Sequence, residues 1–159
     1  MWAPVGTQPQ VPAPGQYEKQ VVYGGVDYAT SRVTHTVAAT KSGVNFQAFL
    51  VALVAAYAGR KVHLVCDNGR FHHTQAVGPW LAAHKDQIEI CWLPPCSPSL
   101  NLIERLWGHL QRTVRANVLF ATMEDLVAAF GKGVGRINGH RDRMSFMFDH
   151  DELTQRKAA

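Results

Sequence analysis

Two acids in this chain stand where a carboxylate could hold a cation. Asp67 closes the apolar run Val62-His63-Leu64-Val65-Cys66 and is followed at once by Asn68-Gly69. The length and β-branching of that run favour a buried strand over a helix. A strand holds the backbone of its last residue rigidly while the carboxylate projects from the sheet edge, a suitable mount for a metal ligand. Asp-Asn-Gly is also the chemistry of an ordinary Asx turn. Glu104 lies in a strongly periodic segment from Leu100 to Asn117. On a helical wheel Leu100, Ile103, Trp107, Leu110 and Val114 form the buried stripe, and Glu104 falls at its border. Gly108, Gln111 and Arg115 share that flank, so the surface beyond the acid is small, polar, then basic. Such a face could run along a sugar-phosphate backbone. The alternative is a half-exposed helix acid paired with a neighbouring arginine.

These acids need elements to position them, and hydrophobic periodicity supplies the expected order. Residues 1–20 hold four of the eight prolines and read as an extended arm or loop. Val21 to Val26 and Val33 to Ala38 read as paired strands, with 27–31 as the hairpin loop. Asn45 to Tyr57 carries apolar residues at helical spacing, with Ser42 or Asn45 as the cap. Strand 62–66, helix 74–84 and strand 88–93 follow. A helix over about 100–117 comes next, and a last one over about 123–137 is interrupted by Gly131, Gly133 and Gly135. Two antiparallel strands followed by β-α units argue for an α/β fold, a mixed sheet flanked by helices. Ligands of such sheets sit beyond the carboxyl ends of the strands, where Asp67 falls.

Composition sets the class. With 159 residues, 47% hydrophobic and 18% charged, the chain is one globular domain with tails. No apolar stretch is long enough to span a membrane, and the start lacks the basic and apolar regions of a signal peptide. Three cysteines without a CxxC spacing point to reduced thiols and a cytoplasmic protein. The net charge of +4 is concentrated over residues 105–143, which carry seven basic and three acidic residues. A phosphate-facing surface requires such an excess, although a solvated helical face carries one too. His72-His73 with Cys91 and Cys96 lacks zinc-ligand spacing. The glycines at 131–135 follow a helix and lack the ending of a phosphate loop. The aromatic run 146–148 reads as core packing.

The segment Leu93-Pro94-Pro95-Cys96-Ser97-Pro98-Ser99-Leu100-Asn101-Leu102-Ile103-Glu104 resembles the proline box that precedes the third acid of DDE transposases. The branch concerned is the Tc/mariner-like superfamily, which includes many bacterial insertion-sequence enzymes. Leu64-Val65-Cys66-Asp67-Asn68-Gly69-Arg70-Phe71-His72 resembles the strand of the second acid, hydrophobic residues followed by DNxxxH. Trp2-Ala3-Pro4-Val5-Gly6 and the hairpin at Tyr23 to Asp27 also fit, so the resemblance covers roughly residues 2–140. It implies an RNase H-like catalytic domain over 21–140, with an arm at 1–20 and a tail at 141–159. Two divalent ions, Mg²⁺ or Mn²⁺, would be held by three acids, with Asp67 as the second and Glu104 as the third. Asn68, His72 and Asn101 match positions beside the site. Arg105, Arg112 and Arg115 would meet phosphates. The implied partners are DNA, both transposon ends and target, and a homodimer or an upstream transposase segment, in the bacterial cytosol.

The pattern departs from the family at its first acid. That residue belongs on a central strand before the Trp-Ala-Pro-Val-Gly-like loop, and this chain begins at the loop. The expected sheet therefore lacks its first strand, leaving two unpaired edges, and the chain alone is expected to be inactive. Asp27 is the one substitute considered, although the family places a non-catalytic acid there. Cys96, Ser99 and Leu102 replace the usual Tyr, Asp and Pro of the box. The alternatives are a non-catalytic DNA-binding or regulatory transposase fragment, and another RNase H-like nuclease.

Overall fold

In the computed structural model, which describes residues 19–95, 100–115, 118 and 120–140, the β-branched runs near the start pair as expected. Strand β1 (Val21–Val26) and strand β2 (Val33–Ala38) form an antiparallel ladder, from Val21 opposite Ala38 to Val26 opposite Val33. Helix α1 (Gly43–Ala56) follows, and its cap is Ser42, whose side chain accepts the Asn45 N–H at 3.2 Å. This helix is apolar on most of its surface because it lies at the centre. Phe46, Phe49, Leu50 and Leu53 are buried in the main core with Tyr23, Cys66, Val77 and Ile88.

Strand β3 (Val62–Cys66), a 3-10 turn at Arg70–His73, helix α2 (Val77–Ala83) and strand β4 (Ile88–Trp92) make a β-α-β unit whose strands run parallel. Helices α3 (Leu102–Arg115) and α4 (Met123–Gly139) build a second cluster around Val33, Leu106, Leu110 and Val134. Their close approach depends on Gly133. A Cβ there would stand 3.0 Å from side-chain methyls of both Leu110 and Val114.

The glycine pair of β1 explains how helices cover both of its faces. Successive strand residues point to opposite sides. A Cβ on Gly24 would fall 2.5 Å from the Trp107 ring of α3, while one on Gly25 would meet Phe49 of α1 at 3.5 Å. Helix α1 therefore lies on one side of β1 and α3 on the other.

The expected mixed sheet is present in two halves, one made of β1 and β2 and the other of β3 and β4. No strand lies between them among the described residues. A cavity of about 740 Å³ separates them instead, lined by β1 on one side and β3 on the other. The two flanking strands run in opposite directions. The Tyr23 hydroxyl of β1 donates to Ser42 C=O at the start of α1, and Arg32, just past β1, reaches Ala56 C=O at its end. At the far side of the cavity the residue order is reversed. His72, beyond the end of β3, stacks on Phe46 in the first turn of α1.

Three local expectations shift. Strand β3 is buried on one face only, since Val65 is 53% exposed and His63 is exposed too. Helix α3 begins at Leu102, so Leu100 lies outside it and is exposed, and Leu106 joins Leu110 as a fully buried member of the stripe. Residues 70–73 form a 3-10 turn, and α2 starts at Val77 rather than Thr74. The arm at 1–18, the box residues 96–99 and the tail with its aromatic run lie outside the described residues. Among the described residues, no helix is long and apolar enough to cross a membrane.

Candidate functional site

The end of β3 places Asp67 at the mouth of the cavity, with 58% of its side chain exposed. Beneath it the 3-10 turn folds His72 back into the core. The ring is only 4% exposed and lies flat on Phe46, with centroids 4.2 Å apart, and edge-on to Phe71 at 3.8 Å. Its Nδ1 is 3.1 Å from the Cys66 sulfur and its Nε2 is 4.0 Å from Asp67 Oδ1. Burial pushes His72 down to about 4 despite the opposing pull of the Asp67 charge; Lys41 and His73 press the same way as burial. Burial, with the Asp67 charge, pushes the Cys66 thiol up to about 12.

Near neutral pH the thiol therefore keeps its proton and the ring is uncharged; the thiol lies within reach of both His72 Nδ1 at 3.1 Å and Asp67 Oδ1 at 3.9 Å. His72 adds no positive charge where Asp67 could bind a cation. The potential ligand atoms of Cys66, Asp67 and His72 lie within 4.8 Å of one another. Asp67 is the hard-oxygen donor of the three.

Glu104 stands exposed in the first turn of α3 and lines the same cavity as Asp67. Its N–H donates to Asn101 C=O at 3.1 Å, which is the part Asn101 plays in starting the helix. No ion pair holds Glu104 among the described residues. Asn68 is exposed, and its side-chain oxygen is engaged by the His73 ring. Arg105, Arg112 and Arg115 project from α3 as exposed side chains.

Asp27 sits at the other end of the cavity, beyond the last residue of β1. Its carboxylate accepts from the Ala29 and Thr30 N–H groups at 2.8 and 3.1 Å and from the Thr30 hydroxyl at 2.7 Å. Burial alone would raise its pKa, but these hydrogen bonds, with one from Tyr57, outweigh it and hold the carboxyl below its ordinary range. The structure thus brings Asp67 and Glu104 to one cavity and commits Asp27 to the hairpin loop.

Sequence reasoning missed two neighbours of the site. Cys66 touches the His72 ring through a contact made only when the 3-10 turn folds, and the spacing of the two residues gave no sign of it. Lys41, which lines the cavity and lies 4.4 Å over the Phe71 ring, occupies a loop with no periodic signal.

Residues 1–127 match the family described as DDE superfamily endonuclease. A similar curated protein is the insertion element IS630 uncharacterized 39 kDa protein of Shigella sonnei. It is 31% identical over 127 residues, which cover 79% of this chain and 37% of that protein. The chain thus spans well under half the length of this relative. Among solved structures, the cryo-EM structure of the simian T-cell lymphotropic virus intasome with PP2A regulatory subunit B56 gamma has a similar chain. The TM-score is 0.51 at 23% identity, over 69% of this chain and 40% of that one, a likeness of fold.

Proposed function

Since the chain belongs to the DDE superfamily endonuclease family, we propose that it is the part of a DNA transposase that carries the second and third acids, Asp67 and Glu104, on an RNase H-like scaffold. The observation that carries this reading is that the two carboxylates, from strand β3 and helix α3, open onto one cavity. Both are hard oxygen donors, and neither is tied up in an ion pair among the described residues, so the pair fits Mg²⁺ or Mn²⁺. A divalent ion bound there would polarise a phosphodiester and favour an attacking water or 3′-hydroxyl. Asp67 and Glu104 would hold it from two directions. His72 and Cys66 keep the floor beneath Asp67 neutral and fixed, and Asn101 anchors the first turn of α3 behind Glu104.

Arg105, Arg112 and Arg115 would lie along DNA and bind its backbone without reading sequence, a contact that weakens steeply with salt. Transposon-end and target DNA are the proposed substrates, with a homodimer as the working assembly in the bacterial cytosol. The test joins this chain to a segment supplying a third carboxylate and measures Mn²⁺-dependent nicking of transposon-end DNA. Asp67→Asn and Glu104→Gln are each expected to lower cleavage by roughly 100-fold or more while DNA binding persists. Cleavage unchanged by Glu104→Gln would remove the acid from the metal site and leave the DNA-binding reading.

A further inference from the structure

Two donors softer than a carboxylate lie directly beneath Asp67 and play no ligand part in Mg²⁺ binding. Cys66 ends β3 opposite Trp92 of β4, and its C=O accepts from Leu93 N–H at 2.8 Å. The 3-10 turn carries His72 back over it, closed by the His72 N–H donating to Gly69 C=O at 3.0 Å. The imidazole is wedged among rings, flat on Phe46 and edge-on to Phe71, with Trp92 at 5.9 Å. Both donors are therefore held in place before any ion arrives, which lowers the ordering cost of binding.

The three donor atoms fit one small ion. Zn²⁺ binds sulfur at about 2.3 Å and nitrogen or oxygen at about 2.0–2.2 Å, so tetrahedral donors stand about 3.5 Å apart. The Cys66 sulfur is 3.1 Å from His72 Nδ1 and 3.9 Å from Asp67 Oδ1, one slightly inside that spacing and one slightly outside. All three donor atoms fall within 4.8 Å of one another. Asp67 is the exposed member at the cavity mouth, while Cys66 and His72 are buried below it. An ion entering by the carboxylate would meet the soft donors and keep a fourth position toward solvent, for a water. The neighbouring His73 is engaged by Asn68 and stays outside the set.

We propose that Cys66, Asp67 and His72 form a site for a thiophilic divalent ion such as Zn²⁺, which claims Asp67 and closes it to Mg²⁺. Ligand chemistry separates the two ions. Thiolate and imidazole suit Zn²⁺, whereas Mg²⁺ takes an octahedron of oxygens and gains nothing from sulfur. On binding, the S–H bond of Cys66 breaks and a metal–sulfur bond forms; the proton leaves to solvent and no electron is transferred. Replacing one proton by a dication adds one net positive charge beside Asp67. That charge, and a carboxylate drawn toward the buried donors, both oppose a second dication at the mouth. The binding of the soft ion stands on the donor geometry; its effect on strand cleavage rests on the metal reading proposed above.

Sequence spacing hides this set, because Cys66 and His72 are six positions apart, wider than the short loops that join zinc ligands. The turn closes that distance. Cys91 does not compete for the site. It lies opposite Val65 in the ladder and is exposed, so it belongs to the other face of the half-sheet from Cys66.

Co²⁺ is the probe, titrated without oxygen into the full chain carrying Cys91→Ser and Cys96→Ser, so that Cys66 is the one thiol left. A thiolate-to-cobalt charge-transfer band and the intense visible bands of a four-coordinate ion are expected to saturate at one equivalent. Zn²⁺ should displace Co²⁺ and erase both, and excess Mg²⁺ should leave the charge-transfer band in place. Cys66→Ser should remove that band, and His72→Phe and Asp67→Asn should each weaken Co²⁺ binding by about tenfold or more. If Cys66→Ser fails to fold, the parent still decides. A folded parent without the charge-transfer band overturns the site, and so does a band that His72→Phe leaves at full affinity. In the joined enzyme described above, Zn²⁺ at about ten times its dissociation constant should cut Mn²⁺-dependent nicking about tenfold. Nicking untouched by Zn²⁺ would overturn the closure of Asp67. Cobalt held by Cys66 in a joined enzyme that never nicks would uphold the site and count against the metal reading alone.

Discussion

At the scale of single residues, the site is a charged surface resting on a neutral buried floor. His72 holds a proton only below about pH 4 when folded, against 6.5 for an ordinary imidazole. Between those values the unfolded chain binds more protons, so stability rises with pH there. It is fully present above about 6.5 and is lost as the pH falls toward 4, by a total on the order of 2–3 kcal/mol. Burial also holds His35, which packs edge-on to Phe130, below its ordinary value and acts in the same direction. Urea unfolding at pH 7.5 and 4.5, with a chelator present, should show this loss, and His72→Phe should remove most of it. Asp67 was legible in sequence because it ends an apolar run, and Glu104 because a helical period surrounds it. The Cys66–His72 contact was not legible. It depends on a short turn with no periodic pattern.

At the scale of elements, β1 is the strand most constrained by what covers it. Trp107 fills the space over Gly24, so Gly24→Val is expected to cost about 1–3 kcal/mol by overpacking. A double-mutant cycle with Trp107→Leu should recover part of that loss, whereas a backbone-propensity effect would add independently. At the start of α1, Ser42→Ala should cost about 1 kcal/mol in thermal or urea unfolding, because the Asn45 N–H loses its acceptor. Strand and helix periods placed the eight strands and α-helices of the described residues in order. They set the start of α3 at about Leu100, which lies before the first turn and is exposed, and left out Leu106, which falls at the edge of the stripe on the side of the Val33–Val134 cluster. Period alone also read β3 as a buried strand without saying which face, since apolar and β-branched residues look the same whether or not a second layer covers them.

At the scale of the whole molecule, the unusual feature is a sheet divided by a cavity with one of its outer edges clamped. Asn138→Ala would leave the Val33 N–H and C=O without partners at the outer edge of β2. A loss of about 1–3 kcal/mol is expected, together with concentration-dependent self-association seen in sedimentation, because a free strand edge invites pairing. Sequence pattern placed the hairpin and the β-α-β unit; which backbone groups of β1 and β3 turn away from their partner strands became readable only from the hydrogen bonds.

The divided sheet also has a kinetic consequence. Each half-sheet is local in sequence, one a hairpin within residues 21–38 and the other a β-α-β unit within 62–92. Neither half-sheet needs a distant strand before it can form, and low contact order favours rapid folding. Stopped-flow measurements should find fast, single-exponential refolding, on the order of milliseconds. The last step would then be the docking of both half-sheets on α1, whose Phe46, Phe49, Leu50 and Leu53 join them in one core.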